Sequence, residues 1–180
     1  QERLTQSLQR AAQVNPRGIA TICGARVHTW SQTRDRVARC ASGLRELGVS
    51  DGVRVGLLAL NSDRYLEAYY AIPWAGGVML PLNTRLTAAD LEYMLNDAGA
   101  TALVLDDTFV HLLSGLRERC PQLRHVILLG DVVPGAPEML TWDALAAQAQ
   151  PLEDAGRAGQ EIAGIFYTGG STGRPKGVML

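Results

Sequence analysis

The chain has 180 residues, a mass of 19.4 kDa and a formal net charge of −1, with 47% hydrophobic and 19% charged residues. This length can bury one sizeable hydrophobic core, and the composition is typical of a globular α/β domain. Arginine and acidic residues are interspersed, which argues against the clustered positive charge of a nucleic-acid-binding protein. No apolar run approaches the roughly 18 residues of a transmembrane helix, and residues 1–15 lack the apolar segment of a signal peptide.

Cysteine and histidine usage argues against a disulfide framework and against a zinc site. Cys23, Cys40 and Cys120 are odd in number and show no C-x-x-C spacing, so the sequence predicts free thiols in a reducing cytoplasm. Three scattered histidines are predicted to be structural or surface residues: His28, His111 and His125. We therefore expect a cytoplasmic protein, and the sequence leaves peripheral membrane association and homo-oligomer formation open.

The N-terminal part of the chain predicts a short helix, a hairpin and a longer helix. Apolar residues recur at helical spacing over residues 4–14. A glycine then separates two short strand patterns, residues 19–23 and 26–29, which predicts a small N-terminal β-hairpin. Ser31 is the predicted N-cap of the next helix, and Gly48 is predicted to end it.

Strand and helix patterns alternate through the rest of the chain. Apolar runs predict strands at 53–60, 78–80, 101–105, 125–129 and 161–167. Thr87 and Asp90 form a predicted capping box at the start of one helix, and two further helices are predicted over 108–119 and 141–149. Such alternation requires crossover connections, so we expect an α/β fold with a mostly parallel sheet, including residues 162–167, and helices on both faces.

The most informative stretch is residues 167–180, YTGGSTGRPKGVML, which follows an apolar strand pattern. Glycines can adopt positive φ and bring backbone N–H groups close to an anion, and hydroxyl side chains add further donors. Lys176 adds a compact positive charge, and it is the single lysine beside 16 arginines. The stretch predicts a phosphate-binding loop at the carboxyl end of a strand, where ligands bind in parallel sheets.

The spacing within this loop differs from the common nucleotide-binding motifs. Lys176 stands between Pro175 and Gly177, whereas the Walker motif places Ser or Thr after its lysine. The chain also lacks the G-x-G-x-x-G pattern of dinucleotide-binding folds. The alternative interpretation is an ordinary surface loop, because Gly, Ser, Thr and Pro are common loop residues.

Residues 167–178 resemble the phosphate-binding signature of the adenylate-forming superfamily, which includes acyl-CoA synthetases, adenylation domains of peptide synthetases and beetle luciferases. The usual form is Thr-Ser-Gly-Thr-Thr-Gly-x-Pro-Lys-Gly. Here Gly169 replaces the usual serine and removes one hydroxyl, whereas Ser171 replaces a threonine and keeps it. Segments within 28–61 also resemble the family, and segments within 75–86 resemble fatty-acyl-CoA ligases in particular.

The resemblance implies an acid–thiol ligase. In the first step a carboxylate, which the resemblance suggests is a fatty acid, attacks the α-phosphorus of ATP and gives an acyl-adenylate and pyrophosphate. In the second step coenzyme A takes the acyl group and AMP is released. Mg²⁺ is implied as well, although no ligand for it is identified in this chain. Lys176 is the implied catalytic residue, because its charge would neutralise the departing pyrophosphate. The implied phosphate-binding residues are Thr168, Gly169, Gly170, Ser171, Thr172, Gly173, Lys176 and Gly177.

The resemblance also implies that residues 1–180 are the N-terminal portion of an AMP-binding domain. In the family, the adenine, ribose, magnesium and acyl contacts and the C-terminal domain follow this region, so residues 1–180 by themselves are expected to be inactive. Two alternatives stay open for the whole protein. One is an adenylation domain that loads an amino or aryl acid onto a carrier protein, and the other is a non-catalytic nucleotide-binding module.

Overall fold

The computed structural model describes residues 3–131, 139–168 and 174–180. The strands in these ranges are β1 Ile19–Cys23, β2 Arg26–Thr29, β3 Arg54–Leu58, β4 Val78–Pro81, β5 Ala102–Leu105, β6 His125–Leu128, β7 Leu140–Thr141, β8 Ile165–Thr168 and β9 Lys176–Met179. The α-helices are α1 Gln6–Val14, α2 Trp30–Glu46, α3 Asp63–Trp74, α4 Ala88–Asp97, α5 Leu113–Arg119 and α6 Trp142–Gln148. A 3-10 helix over Asp107–Leu112 precedes α5, where the sequence predicts one continuous helix. None of the described helices has both the length and the apolar character needed to span a lipid bilayer.

Five strands form one parallel sheet in the order β4-β3-β5-β6-β7. Val55 of β3 is paired with Met79 on one side and with Ala102 on the other. Alternate strand residues point to opposite faces, so Leu57 joins one core cluster and Leu58 joins the other. Helices α2, α3 and α6 cover the first face, and α4 and α5 cover the second. The predicted α/β fold, with a mostly parallel sheet and helices on both faces, is confirmed.

The predicted N-terminal hairpin is present as the antiparallel pair β1–β2, and Gly24 makes its turn with a φ of 59°. The prediction of Ser31 as the N-cap of α2 is wrong. The Thr29 hydroxyl accepts a hydrogen bond from the Gln32 N–H, and the Gln32 side chain accepts one from the Thr29 N–H. This capping box forms at Thr29 because β2 ends there in an extended conformation, which leaves Ser31 inside the helix. Gly48, with a φ of 86°, follows the end of α2 as predicted.

The C-terminal segment departs from the predicted sheet. An isolated parallel bridge joins Gly164 to Met79 of β4, next to a hydrogen bond of 3.0 Å from the Met79 N–H to the Ala163 carbonyl. Beyond the bridge, β8 leaves the sheet and pairs antiparallel with β9. The prediction that residues 162–167 form a strand of the main sheet is therefore wrong. Strands β7 and β9 were not predicted: the two residues of β7 are too few to show a periodicity, and β9 was included in the stretch assigned to the phosphate-binding loop.

The polar connector between α6 and β8 is fixed along the helical layer. The Leu152 N–H donates to the Ala38 carbonyl at 3.0 Å, and the Leu152 carbonyl accepts from the Trp74 indole N–H at 2.9 Å. The Asp154 carboxylate accepts a hydrogen bond of 2.6 Å from the Thr5 hydroxyl. These contacts join α1, α2 and α3, so the connector fixes the approach of the chain to β8.

Candidate functional site

The predicted phosphate loop begins at the end of β8 and ends at the start of β9. Thr168 and Lys176 are directly opposed in this antiparallel pair, and Gly177 is opposed to Tyr167. Directly opposed residues have Cα atoms about 4.5–5.5 Å apart, and both Thr168 and Lys176 are exposed. The structure thus brings together three of the predicted site residues. The other five lie outside the described residues: Gly169, Gly170, Ser171, Thr172 and Gly173.

Strand β8 begins alongside β4 and runs toward the edge of the sheet at which the parallel strands end. Gly164 pairs in parallel with Met79, so β8 starts in the same direction as β4. Thr168 is therefore at the end of β8 that points the same way as the carboxyl ends of the parallel strands, and ligands of open parallel sheets bind beyond those ends. Thr168 and Lys176 offer a hydroxyl and a positive charge to solvent at this edge. Both are donor types that suit a phosphate group.

Helix α4 contacts both ends of the loop. The Tyr167 hydroxyl donates a hydrogen bond of 2.5 Å to Oδ2 of Asp97. Burial and the negative charge of Asp97 both raise the pKa of Tyr167 above its usual value, so this phenol stays protonated at neutral pH. The Tyr93 ring meets the Tyr167 ring edge to face, with centroids 6.4 Å apart and an interplanar angle of 78°. The Arg174 guanidinium carbon lies 5.3 Å from the centroid of the Tyr93 ring, within cation–π range.

The local sequence pattern did not indicate a role for these α4 residues. Tyr93 and Asp97 are four positions apart, so they share one face of the helix, and this spacing was the available signal. Their partner Tyr167 lies 70 residues beyond Asp97, and nothing in the local pattern indicates that pairing.

A second polar cluster lies between the β1–β2 hairpin and helices α2, α3 and α6. Arg26 donates to both carboxylate oxygens of Asp63 at 2.8 Å, and Arg36 donates to both oxygens of Glu67 at 2.6 and 3.0 Å. Burial opposes ionisation of Asp63, but the hydrogen bonds from Arg26 outweigh it and lower the pKa of Asp63 to about 2. The Glu67 carboxylate also accepts from the Trp142 indole N–H at 2.9 Å. Carboxylates paired in this way hold the hairpin and the helices together.

His28 belongs to the same cluster. Its Nδ1 atom lies 3.7 Å from Oδ2 of Asp63 and 3.9 Å from Oε1 of Glu67. The prediction of a structural histidine agrees with this position, although the sequence did not indicate two carboxylate neighbours. Across residues 3–131, 139–168 and 174–180, no three His, Cys, Asp or Glu side chains are arranged to hold a metal ion. We therefore assign no Mg²⁺ ligand to these residues.

Comparison with known proteins identifies relatives over almost the whole chain. Residues 8–180 match the AMP-binding enzyme family. The chain is 34% identical over 176 residues to a long-chain-fatty-acid–CoA ligase of Thermus thermophilus. The matched region covers 96% of this chain and 32% of that protein. It is also 34% identical over 175 residues to a feruloyl-CoA synthase of Amycolatopsis, and that matched region covers 95% of this chain and 32% of that protein.

Solved structures agree with the sequence relatives. The crystal structure of the anthranilate CoA ligase AuaEII in complex with anthranoyl-AMP matches with a TM-score of 0.90 and 28% identity, over 97% of this chain and 34% of that chain. The chain thus spans about a third of the length of the relatives that it matches. The resemblance inferred from the glycine-rich loop is confirmed, and the parallel sheet with its flanking helices is the fold of these relatives. Because the family match extends over residues 8–180, the chain belongs to the AMP-binding enzyme family.

Proposed function

We propose that the protein carrying this chain is an acid–thiol ligase that activates a carboxylic acid with ATP and then transfers the acyl group to coenzyme A. The observation that carries the proposal is the opposition of Thr168 and Lys176 at the carboxyl end of β8. They flank the glycine-rich stretch of the sequence, and β8 runs in the direction of the parallel strands, beyond whose carboxyl ends ligands bind. The relatives with CoA-ligase activity in their names support the acid and thiol substrates.

Lys176 is proposed to act on the first step. As the carboxylate attacks the α-phosphorus, the bond to the β-phosphate oxygen breaks and negative charge grows on the departing pyrophosphate. An ammonium held beside the β and γ phosphates stabilises that charge most in the transition state, which raises the rate constant. The Thr168 hydroxyl donates to the same phosphates. The remaining proposed contacts come from the loop residues Gly169, Gly170, Ser171, Thr172 and Gly173 and from Gly177.

Mg²⁺ would screen the phosphate oxygens when bound with ATP, and its protein ligands are proposed to lie outside the described residues. We also propose that residues 1–180 are the N-terminal portion of the AMP-binding domain, and that other parts of the protein supply the adenine, ribose and acyl pockets. The share of the relatives that this chain covers, about a third, supports this assignment. Residues 1–180 then provide the sheet, its helices and the phosphate loop.

A fatty acid is the proposed substrate, supported by the fatty-acid ligase among the relatives. An aromatic acid is the second candidate, because a feruloyl-CoA synthase and an anthranilate CoA ligase match over a similar share of the chain. The acceptor is proposed to be coenzyme A, and a carrier protein is the alternative for the test.

Carboxylate-dependent ATP–pyrophosphate exchange by the complete protein tests the proposal. The panel should include fatty acids of several chain lengths, aromatic acids and amino acids. We expect exchange with at least one fatty acid, followed by formation of its CoA thioester, detected by mass spectrometry. Exchange followed by transfer of the acyl group to a carrier-protein thiol, with release of AMP and without formation of a CoA thioester, would support the alternative acceptor. ATP binding without exchange for any carboxylate would refute the proposal and favour a non-catalytic nucleotide-binding module.

A further inference from the structure

The β8–β9 pair needs support from outside itself to hold Lys176 in a fixed position. Four residue pairs join the two described strands, hydrogen bonds between the backbones of Leu180 and Gly164 extend the pairing by one position, and all four residues of β9 are exposed. The main sheet contributes an isolated bridge at Gly164. A two-stranded antiparallel pair is marginally stable by itself in water. A loop mounted on such a pair would position its lysine poorly without another contact.

Helix α4 supplies this contact at both ends of the loop. On the β8 side, Tyr167 donates its 2.5 Å hydrogen bond to Asp97. On the β9 side, Arg174 stacks on Tyr93, and the edge-to-face contact of Tyr93 with Tyr167 links the two sides. Each contact lies one or two positions from Thr168 or Lys176 in sequence.

The helix is itself firmly held. Its N-terminus carries a capping box in which the Thr87 hydroxyl and the Asp90 side chain exchange hydrogen bonds with backbone N–H groups. Leu91, Met94 and Leu95 are buried in the core beneath the sheet. Tyr93 and Asp97 lie on another face of the same helix. They are therefore attached to a helix that is capped and anchored in the core, as precise positioning requires.

The Tyr167 ring also lies against the backbone that carries Lys176. A Cβ atom built on Gly177 would come within 3.2 Å of Cζ of Tyr167 and within 2.8 Å of a methyl group of Ile165. The phenol ring thus packs across Gly177, which follows Lys176 directly. Fixing the ring through its hydroxyl also fixes the backbone of β9 at the lysine.

We propose that Tyr167, Asp97 and Tyr93 are positioning residues that hold the Lys176 ammonium against the departing pyrophosphate, an inference that rests on the proposed function. A misplacement of about 1 Å can cost on the order of 10² in rate. Loss of one contact loosens the support without removing it, so we expect a rate loss of about tenfold. In this proposal the three residues act on the phosphate loop and not on the carboxylate, so the KM for the carboxylate is expected to stay unchanged.

The experiment measures ATP–pyrophosphate exchange by the complete protein and its variants Tyr167→Phe and Asp97→Ala. Each is expected to lower kcat about tenfold. The double variant is expected to lose no more than either single variant, because both remove the same hydrogen bond. Asp97→Asn keeps an amide oxygen that can accept from the phenol, so it is expected to restore most of the rate. In a Lys176→Ala background, Tyr167→Phe is expected to have little further effect.

The matched control is Tyr70→Phe. It removes a phenol hydroxyl that pairs with the Ser7 hydroxyl at 3.1 Å, between α3 and α1. We expect no change in kcat for this variant. If the unmutated protein catalyses exchange and Tyr167→Phe and Asp97→Ala leave its kcat unchanged, the positioning role is overturned and the proposed function stays intact. A loss from Tyr167→Phe that is just as large in the Lys176→Ala background would also overturn it. Absence of exchange in the unmutated protein would overturn the proposed function, and this inference with it.

Discussion

The ion pair between Arg26 and Asp63 gives a stability prediction whose size follows from the structure. The Asp63 side chain is 1% exposed and accepts two hydrogen bonds of 2.8 Å from Arg26, which joins β2 to the start of α3. These bonds outweigh the cost of burial and lower the pKa of Asp63 from 3.8 to about 2. Because folding favours the ionised form, this pair is expected to contribute about 2 kcal/mol to the free energy of unfolding at neutral pH.

The sign of the pH dependence follows from the lowered pKa. The contribution is complete above the unfolded-state pKa of about 4 and is lost as the pH falls through the folded-state value of about 2. We therefore expect Asp63→Asn to lower the free energy of unfolding by about 2 kcal/mol at pH 7 and by about half as much at pH 3. Urea denaturation of the protein at both pH values measures the two differences.

Asp35→Asn is the matched control for this prediction. It makes the same chemical change in an ion pair with Arg39 at 2.7 Å, in which both side chains are partly exposed, 50% for Asp35 and 31% for Arg39. An exposed pair spaced by four residues is worth at most about 0.5 kcal/mol. Asp63→Asn could instead change the free energy of unfolding as little as Asp35→Asn, or by the same amount at pH 3 as at pH 7. Either result would refute a stabilising, pH-dependent ion pair between Arg26 and Asp63.

Two further predictions concern the loop, and a third concerns residues 1–180 as a separate polypeptide. Lys176→Ala in the complete protein should lower carboxylate-dependent ATP–pyrophosphate exchange by about 10²–10³ with an unchanged KM for the carboxylate, by analogy with removed oxyanion donors; unchanged exchange would make Lys176 an ordinary surface residue. Gly177→Ala should destabilise the β8–β9 pair by about 1–3 kcal/mol, because its methyl would meet Ile165 and Tyr167; faster hydrogen exchange at β8 amides checks this, and unchanged protection would contradict it. A polypeptide of residues 1–180 should show no exchange activity, because it lacks identified acyl and adenine contacts; activity in a preparation free of the complete protein would disprove this.

Much of the fold could be predicted because the responsible interactions are local. The capping box of Thr87 and Asp90 and the turn at Gly24 each involve residues within a few positions of one another, so the sequence displays them directly. Apolar runs likewise indicated the parallel strands β3 to β6. The glycine-rich loop was visible for the same reason, since residues 168–177 are contiguous and their residue types carry the chemistry of phosphate binding.

The predictions that failed required information from distant parts of the chain. Whether Thr29 or Ser31 caps α2 depends on where β2 stops, and pairing with β1 decides that. Residues 162–167 have the composition of a sheet strand, yet β8 leaves the sheet after the bridge at Gly164 and pairs with β9. Strand composition indicates a strand but not its partner, because backbone hydrogen bonds form equally well with any available edge.

The sequence by itself therefore determined the family, the class of fold and the residues that are proposed to bind phosphate. Tertiary structure alone decided what holds those residues. Tyr167 meets Asp97 across 70 positions, and Arg26 meets Asp63 across 37. Such contacts leave no periodic trace in the sequence, because each partner is an ordinary polar residue in its own helix or strand. They depend on the packing of the core, which places α4 beside β8 and the hairpin beside α3.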